Sequence, residues 1–337
     1  MKGHRVTIKD IARMLNISPS TVSYALNDHP NINPKTKQTV KDLAKKLNYK
    51  PNKVALSLLQ NESKIIGLII PEIIHHFFST VISGIEQVAN KAGYHVMICQ
   101  SNESFEREVE NVQALLSRNI DGFIISMSKN TFDHDHFKNI KKIGVPIVFF
   151  DRPAEGIFGD SVIVDDLNGA YQAVKHLIEI GCRNIVHFAG PQHLSIGENR
   201  KLGYIKAHRE MGIPVNEDLI VVCDSFEQAQ EIIPEFYNKH PEIDGVFTVN
   251  DLTAFGTIKG LKQVGKRVPD DVAVCGFTNS FISNMGDFEL STVDQKGFEM
   301  GQVAAGLLLD RMKSEENYPP VQKVLKTELL IRDSSKK

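Results

Sequence analysis

From Lys64 onward the chain repeats one unit, a short run of Val, Ile and Phe followed by an amphipathic stretch. The runs are "IIGLII" (65–70), "HVMIC" (95–99), "DGFIIS" (121–126), "PIVFFD" (146–151), "SVIVD" (161–165), "NIVHFAG" (184–190), "LIVVC" (219–223), "DGVFTV" (244–249) and "VAVCGF" (272–277). A strand with one wet face alternates apolar and polar residues, whereas a strand covered on both faces reads as a continuous apolar run. Helical spacing falls between the runs, for example at 79–92, 106–118, 168–180, 198–211, 251–264 and 297–312. The pattern predicts parallel strands covered by helices on both faces. "DGFIIS" and "DGVFTV" each follow an amphipathic helix and are expected to be equivalent strands of two doubly wound halves. Such halves leave a cleft between them, with ligand groups at the carboxyl ends of the strands.

The first 50 residues follow a different rule and read as three short helices. "TIKDIARMLN" places Ile8, Ile11, Ala12 and Leu15 at helical spacing behind Thr7 as N-cap. "SPSTVSYALN" starts a second helix, with Ser18 as cap and Pro19 at the first position, where a missing N–H is no loss. Val22, Ala25 and Leu26 face inward there, leaving Ser20, Thr21, Ser23, Tyr24 and Asn27 available. "NPKTKQTVKDLAKKLNY" gives the third helix, capped by Asn33, with Pro34 first and a stripe of Val40, Leu43, Ala44 and Leu47. The next segment, "KPNKVALSLLQNES", has helical spacing over its central residues. That stretch falls short of the roughly 12–15 residues an isolated helix needs in water, so it reads as a linker that folds when something stabilises it.

At 337 residues the chain has room for two or three domains. With 42% hydrophobic and 24% charged residues it can bury a proper core. The formal net charge of −2 conceals a split: residues 1–61 hold 11 Lys/Arg and 3 Asp/Glu, a net of +8, against −10 for the remainder. A basic head on an acidic body points the head at a polyanion. The second helix of a helix-turn-helix lies in the major groove and offers its N-terminal residues to bases. Small hydroxyls near that N-terminus, together with its free backbone N–H groups, suit phosphate oxygens. The plainer alternative is a three-helix bundle with a polar face.

Several classes are excluded by what the residues lack. Cys99, Cys182, Cys223 and Cys275 are far apart and form no CxxC pair, so free thiols, mostly buried, are expected. "MKGHRVTIKD" has no apolar core like that of a signal peptide, and no apolar run approaches the roughly 18 residues of a membrane helix, which points to the cytoplasm. There is no GxSxG, P-loop or GxGxxG, and no catalytic role or cofactor is expected. "DHDHF" (133–137) and His75–His76 lie on polar turns and are not expected to hold a metal.

"VTIKDIARMLNISPSTVSYALND" and "INPKTKQTVKDLAKKLNYKPNKVALSL" resemble the DNA-binding head of the lactose-repressor (LacI/GalR) family. The similarity continues in family order through "IIGLIIPE", "FFSTVISGIE", "DGFIIS", "VPIVFFDRP", "HFAGP", "RKLGYIKA", "VNDLTAFG" and "GF…STVDQ". It implies a helix-turn-helix domain at 1–50, a hinge at 51–62 and an effector-binding and dimerisation domain at 63–337. That domain would be a periplasmic-binding-protein-like body of two α/β subdomains, with crossovers near 151–163, 277–294 and 319–330. A homodimer on a pseudo-palindromic double-stranded operator follows as an expectation, since "LLIRDSSKK" lacks the Leu-heptad tail some relatives use to form tetramers. By position, Pro19, Ser20 and Tyr24 match the base-reading places and Thr21, Ser23 and Asn27 the phosphate side, with Thr7 nearby. Tyr24 departs from the Arg or His often found there; its hydroxyl offers one hydrogen bond where Arg offers two. Leu58 matches the hinge leucine that wedges into the minor groove. Val54, Ala55 and Leu59 would pair the two hinges, and Arg5, Lys35, Lys37, Asn52 and Lys53 are candidates for phosphate contact.

The resemblance also implies a small carbohydrate-like effector in the cleft. Phe78 matches the family's stacking aromatic, although either Phe77 or Phe78 is expected to be core. Ser126, Asp151, Arg200, Asn250, Thr278 and Gln295 match positions around the pocket, and Asp251 is favoured over Asn250 as a helix cap. Thr278 stands where most of the family has an acid that holds sugar hydroxyls. With that acid gone and Arg200 kept, an anionic effector, a carboxylate or phosphate, is expected. Two alternatives stay open: a family regulator controlled by a protein co-regulator, and a solute-binding protein with a closing cleft.

Overall fold

In a computed structural model, residues 6–49, 62–154, 156, 157, 159–314 and 319–336 are described. The chain separates into two units, Met1–Ser63 and Lys64–Lys337. In the first, α1 (Ile8–Leu15), α2 (Pro19–Leu26) and α3 (Pro34–Lys46) pack around Ile11, Ala12, Val22, Ala25, Val40 and Ala44. Ile8, Leu15, Leu26, Leu43 and Leu47 close over this centre, so the inward stripes are those the spacing predicts. Fully burying one Ile or Val side chain is worth about 1.5–3 kcal/mol. Thr7 caps α1 in a capping box with Asp10, and Ser18 caps α2 by accepting from the Thr21 N–H at 3.0 Å. Between them Asn16 turns the chain in the left-handed region (φ 53°, ψ 44°), which its short polar side chain tolerates.

The second unit holds two six-stranded sheets. Eleven of their strands are β1 (Ile65–Ile70), β2 (His95–Gln100), β3 (Gly122–Ile125), β4 (Ile147–Phe150), β5 (Asp160–Val164), β6 (Ile185–Ala189), β7 (Ile220–Val222), β8 (Gly245–Thr248), β9 (Ala273–Thr278), β10 (Ser291–Asp294) and β11 (Gln322–Leu325); the twelfth is β12 (Glu328–Leu330). Their orders, β11-β5-β4-β3-β1-β2 and β12-β10-β9-β8-β6-β7, are the same pattern twice. Every pairing is parallel except β10 with β12. β3 pairs with β1 and β8 pairs with β6, so "DGFIIS" and "DGVFTV" are the third strands of equivalent halves.

The helices between strands are α4 (His76–Lys91), α5 (Phe105–Leu116), α6 (Asp135–Lys142), α7 (Asp166–Glu179), α8 (Ser195–Glu210), α9 (Phe226–Lys239), α10 (Asp251–Gln263) and α11 (Gly297–Lys313). Alternate strand residues feed opposite cores. Val148, Phe150 and Val162 pack with Val81, Ile85, Ala304 and Leu308 of α4 and α11. Phe149 and Phe123 pack instead with Val112, Leu115 and Phe137 of α5 and α6. The second sheet repeats this, with α7 and α8 on one face and α9 and α10 on the other. Gly301 lets α11 approach α4 closely, since a Cβ there would overlap the Val81 carbonyl.

The chain passes between sheets at 164–166, 294–297 and 325–328. The third pass lies inside the expected 319–330 segment. The first two fall just beyond the expected 151–163 and 277–294, because β5 and β10 still belong to the sheets they follow.

Candidate functional site

On the head, the outward side of α2 carries Pro19, Ser20, Thr21, Ser23, Tyr24 and Asn27. Ser18 Oγ lies 2.8 Å from both Ser20 Oγ and Thr21 Oγ1, so the hydroxyls at this N-terminus form one local network. Tyr24 is 50% exposed and its ring rests 4.7 Å from that of His29. Asn27 returns its amide to the Ser23 carbonyl at 3.0 Å. Lys35 stands exposed in the first turn of α3, while Lys37 is tied to the Asp28 carbonyl at 3.0 Å. Arg5, Asn52, Lys53, Val54, Ala55, Leu58 and Leu59 lie outside the described residues.

In the body, the carboxyl ends of both sheets converge on a charged group. Asp151 follows β4 with a left-handed backbone (φ 59°) and is 5% exposed. Asp166 is the first residue of α7; its neighbour Asp165 caps that helix by accepting from the Asn168 N–H at 3.0 Å. Arg200, on α8, is held on three sides. Its Nε donates to Asp166 Oδ1 at 2.8 Å, its Nη1 donates to the Val249 carbonyl at 2.5 Å, and its guanidinium carbon sits 3.7 Å above the Phe277 ring. Nη2 lies 2.7 Å from the same Asp166 Oδ1 but is not aligned for a hydrogen bond. Asp151 and Asp166 line a cavity of about 520 Å³ together with Phe149, Ala154, Ile157 and Asn199. Burial, more than any neighbour, drives both carboxyls up, Asp166 to about 6, with Arg200 opposing.

Several expectations change here. Arg200 is not a free fork awaiting a ligand's oxygens: Asp166 already neutralises it, which removes the basis for an anionic effector. Phe78 and Phe77 are both core, with Phe78 edge-on to Phe77 at 5.2 Å and to Phe150 at 6.3 Å. The cap of α10 is Asn250, whose Oδ1 accepts from the Thr253 N–H at 2.8 Å and whose amide donates to the Asp224 carbonyl at 2.9 Å. Asp251, favoured for that role, is buried one residue later and braces the following turn by accepting from the Ser280 N–H at 2.7 Å and from Thr292 Oγ1 at 2.5 Å. An Ncap residue needs extended backbone, and Asn250 has it (φ −152°, ψ 168°).

Ser126, at the end of β3, is fully buried and its hydroxyl has no partner among the described residues. Thr278 closes β9 at φ 150°, a conformation costing a β-branched residue roughly 1–3 kcal/mol. Gln295 is 4% exposed beside the second pass between sheets. Sequence reasoning missed Asp166, although "VDDLNGA" offers two acids where a helix start needs one. It also missed a clasp across the cleft. Lys129, after β3, donates to Asp224 Oδ2 at 2.8 Å, and His193 Nε2 lies 2.7 Å from the Lys129 carbonyl.

Residues 7–52 match the bacterial regulatory proteins of the lacI family, and residues 63–324 match the periplasmic binding proteins and sugar binding domain of the LacI family. The ribose operon repressor of Halalkalibacterium halodurans is 32% identical over 98% of this chain and 97% of its own. A LacI-family transcriptional regulator of Enterococcus faecium, solved with bound ribose, is 31% identical over 80% of this chain and 98% of its own, with a TM-score of 0.70. The transcriptional regulator CelR, solved with cellobiose, is 28% identical over 98% of this chain and all of its own, with a TM-score of 0.75. These relatives are regulators of transcription, not enzymes. The chain belongs to the LacI family of bacterial regulatory proteins, with the family's DNA-binding helix-turn-helix head and its sugar-binding α/β body.

Proposed function

We propose that this protein is a dimeric repressor that reads a two-fold symmetric operator and changes its affinity when a hydroxyl-rich effector enters the body's cleft. The observation that carries this is the meeting of Asp151 and Asp166, the latter paired with Arg200, at one cavity that also takes in Ser195 and Asn199 of α8. Carboxylates accept from vicinal hydroxyls with charge-assisted hydrogen bonds. The relatives solved with ribose and cellobiose support a sugar or sugar derivative. Ser126, Asn250, Thr278 and Gln295 would complete the pocket.

Dimerisation has its own support. β2 and β7 are the terminal strands of the two sheets, away from the β11 and β12 edges, and both expose apolar side chains. Ile98 is 40% and Val222 60% exposed, while Phe281, Ile282 and Met285 add a further apolar patch after β9. Apolar groups left open on edge strands call for a covering partner. On DNA, Ser20 and Tyr24 would face bases and Thr21, Ser23 and Asn27 phosphates, with the Leu58 hinges meeting at the operator's centre.

Selection of bound fragments from a random double-stranded library, followed by anisotropy titrations with a sugar panel, tests this. Enriched sites should be inverted repeats, and at least one sugar should shift the midpoint. Enrichment without two-fold symmetry overturns the dimeric reading. DNA binding that no sugar alters favours the rival in which a protein partner controls the regulator.

A further inference from the structure

Helix α2 ends in a turn that sets the surroundings of Tyr24. Asn27 is the C-cap and Asp28 follows it in the left-handed region (φ 57°). The His29 N–H then returns to the Tyr24 carbonyl at 3.0 Å, and the Asp28 N–H reaches the Ala25 carbonyl at 3.4 Å. This is the Schellman arrangement, in which the residue two past the cap and the residue three before it meet through their side chains. Here those two are His29 and Tyr24, whose ring centroids lie 4.7 Å apart with planes 34° from parallel.

The His29 ring is itself anchored. Its carbonyl accepts from the Ile32 N–H at 3.2 Å, and its Nδ1 accepts from the Asn31 N–H at 3.3 Å, which in the neutral ring leaves the proton on Nε2. The turn is braced from α3, where Lys37 Nζ donates to the Asp28 carbonyl at 3.0 Å and Lys41 Nζ to Asp28 Oδ1 at 2.5 Å. Tyr24, by contrast, is 50% exposed, and its hydroxyl takes no hydrogen bond among the described residues. A half-exposed tyrosine samples several rotamers and gives up that freedom on meeting a base. One that rests on an anchored ring has given up much of it already. A Tyr hydroxyl makes at most one hydrogen bond to a base, so its power to discriminate depends on how firmly the ring is aimed beforehand.

We propose that His29 is a positioning residue that sets operator specificity: its ring holds the Tyr24 side chain in the direction from which the hydroxyl reads one base pair of each half-site, while His29 itself touches no base. The inference rests on the DNA reading proposed above and adds the residue behind Tyr24. Fixing one such side chain before binding is worth roughly 2- to 10-fold in affinity. That gain falls only on the sequence that Tyr24 matches, so it shows as discrimination between base pairs. A His29 that merely held the turn together would change binding to every sequence alike.

The test uses the full chain and the operator selected from the random library, with each base pair of one half-site replaced in turn and binding read by anisotropy. Tyr24→Phe, which removes only the hydroxyl, should abolish the preference at one base pair. His29→Ala should cut the preference at that same pair by about 2- to 10-fold, and His29→Phe, which returns a ring, should restore most of it. Adding His29→Ala to Tyr24→Phe should change nothing further at that pair, as two residues acting through one contact require. No loss in His29→Ala, a loss shared equally by all sequences, a loss at a different pair, or one that His29→Phe leaves unrepaired overturns the proposal, as does an intact preference in Tyr24→Phe. Each of these results leaves the repressor reading standing. That reading falls only if the wild-type protein prefers no sequence at all, which removes the role of His29 with it.

Discussion

Asp166→Asn should raise the stability of the body at neutral and alkaline pH, although it removes one partner of a buried ion pair. Two effects compete. Burial disfavours the Asp166 carboxylate and nearby Asp151 and Asp165 add repulsion, while Arg200 opposes them at 2.7–2.8 Å. The balance leaves the carboxyl at about 6 in the folded protein against 3.8 for an ordinary aspartate, so burial wins. A carboxyl raised on folding stabilises fully below its unfolded value, and that contribution is lost as pH rises through the folded one. Over the two or so units between those values, at 1.36 kcal/mol per unit, the loss is roughly 3 kcal/mol. Asparagine copies the neutral carboxyl in shape and keeps an acceptor for Arg200 Nε, so the variant lacks this loss. Thermal unfolding should show variant and wild type alike at pH 4, and the variant higher by roughly 6–12 °C at pH 8, using about 2–4 °C per kcal/mol for a body of this size. Arg200→Met should do the opposite, because it strands Asp166 and Asp151 together, at a cost of about 3–5 kcal/mol. A variant less stable than wild type at pH 8 would refute the reasoning, because it would mean that the pairing outweighs the burial.

Ser18→Ala removes the acceptor for the Thr21 N–H and the centre of the Ser20–Thr21 hydroxyl network. It should cost the head about 1 kcal/mol, read as faster amide exchange in α2 and weaker operator binding, and Ser18→Asn should restore the protection. Gly301→Ala places a methyl on the Val81 carbonyl, whereas Gly306→Ala on the same helix meets open space. The first should lower stability by about 1–3 kcal/mol through overpacking and the second raise it by up to about 1 kcal/mol through helix propensity. Equal midpoints in thermal melts of the two variants would contradict the close approach of α11 to α4.

The parallel strands were legible because burial on both faces leaves a continuous apolar run, which is why "IIGLII" and "DGVFTV" stand out. β10, β11 and β12 were not, since "STVD", "QKVL" and "ELL" are short edge or near-edge strands with polar positions. The helix before "DGVFTV" was legible even though α9 holds Pro234, a residue that normally interrupts a helix. The head was read almost completely, because short helices with strong caps and one apolar stripe each state their structure locally. Charge pairing is different in kind. Asp166 and Arg200 are 34 residues apart and meet only because α7 and α8 lie side by side on one sheet. No spacing rule finds such a pair, so Arg200 read alone does not reveal the carboxylate that neutralises it.

That pairing bears on why so costly a group is tolerated. A helix start gains from one capping acid, and Asp165 fills that place for α7. The second acid, Asp166, adds nothing to the cap and is buried against its own preference for water. If stability were the only demand, asparagine would serve better there by the reckoning above. A carboxylate held against its solvation, facing a cavity with an oxygen unmet by any described donor, is a site whose missing partner comes from outside the chain. Binding a donor there recovers part of the burial cost, so the effector would stabilise the body most above about pH 6, where Asp166 is charged. The gain should shrink as pH falls through that value, and Asp166→Asn should abolish the pH dependence without abolishing the fold.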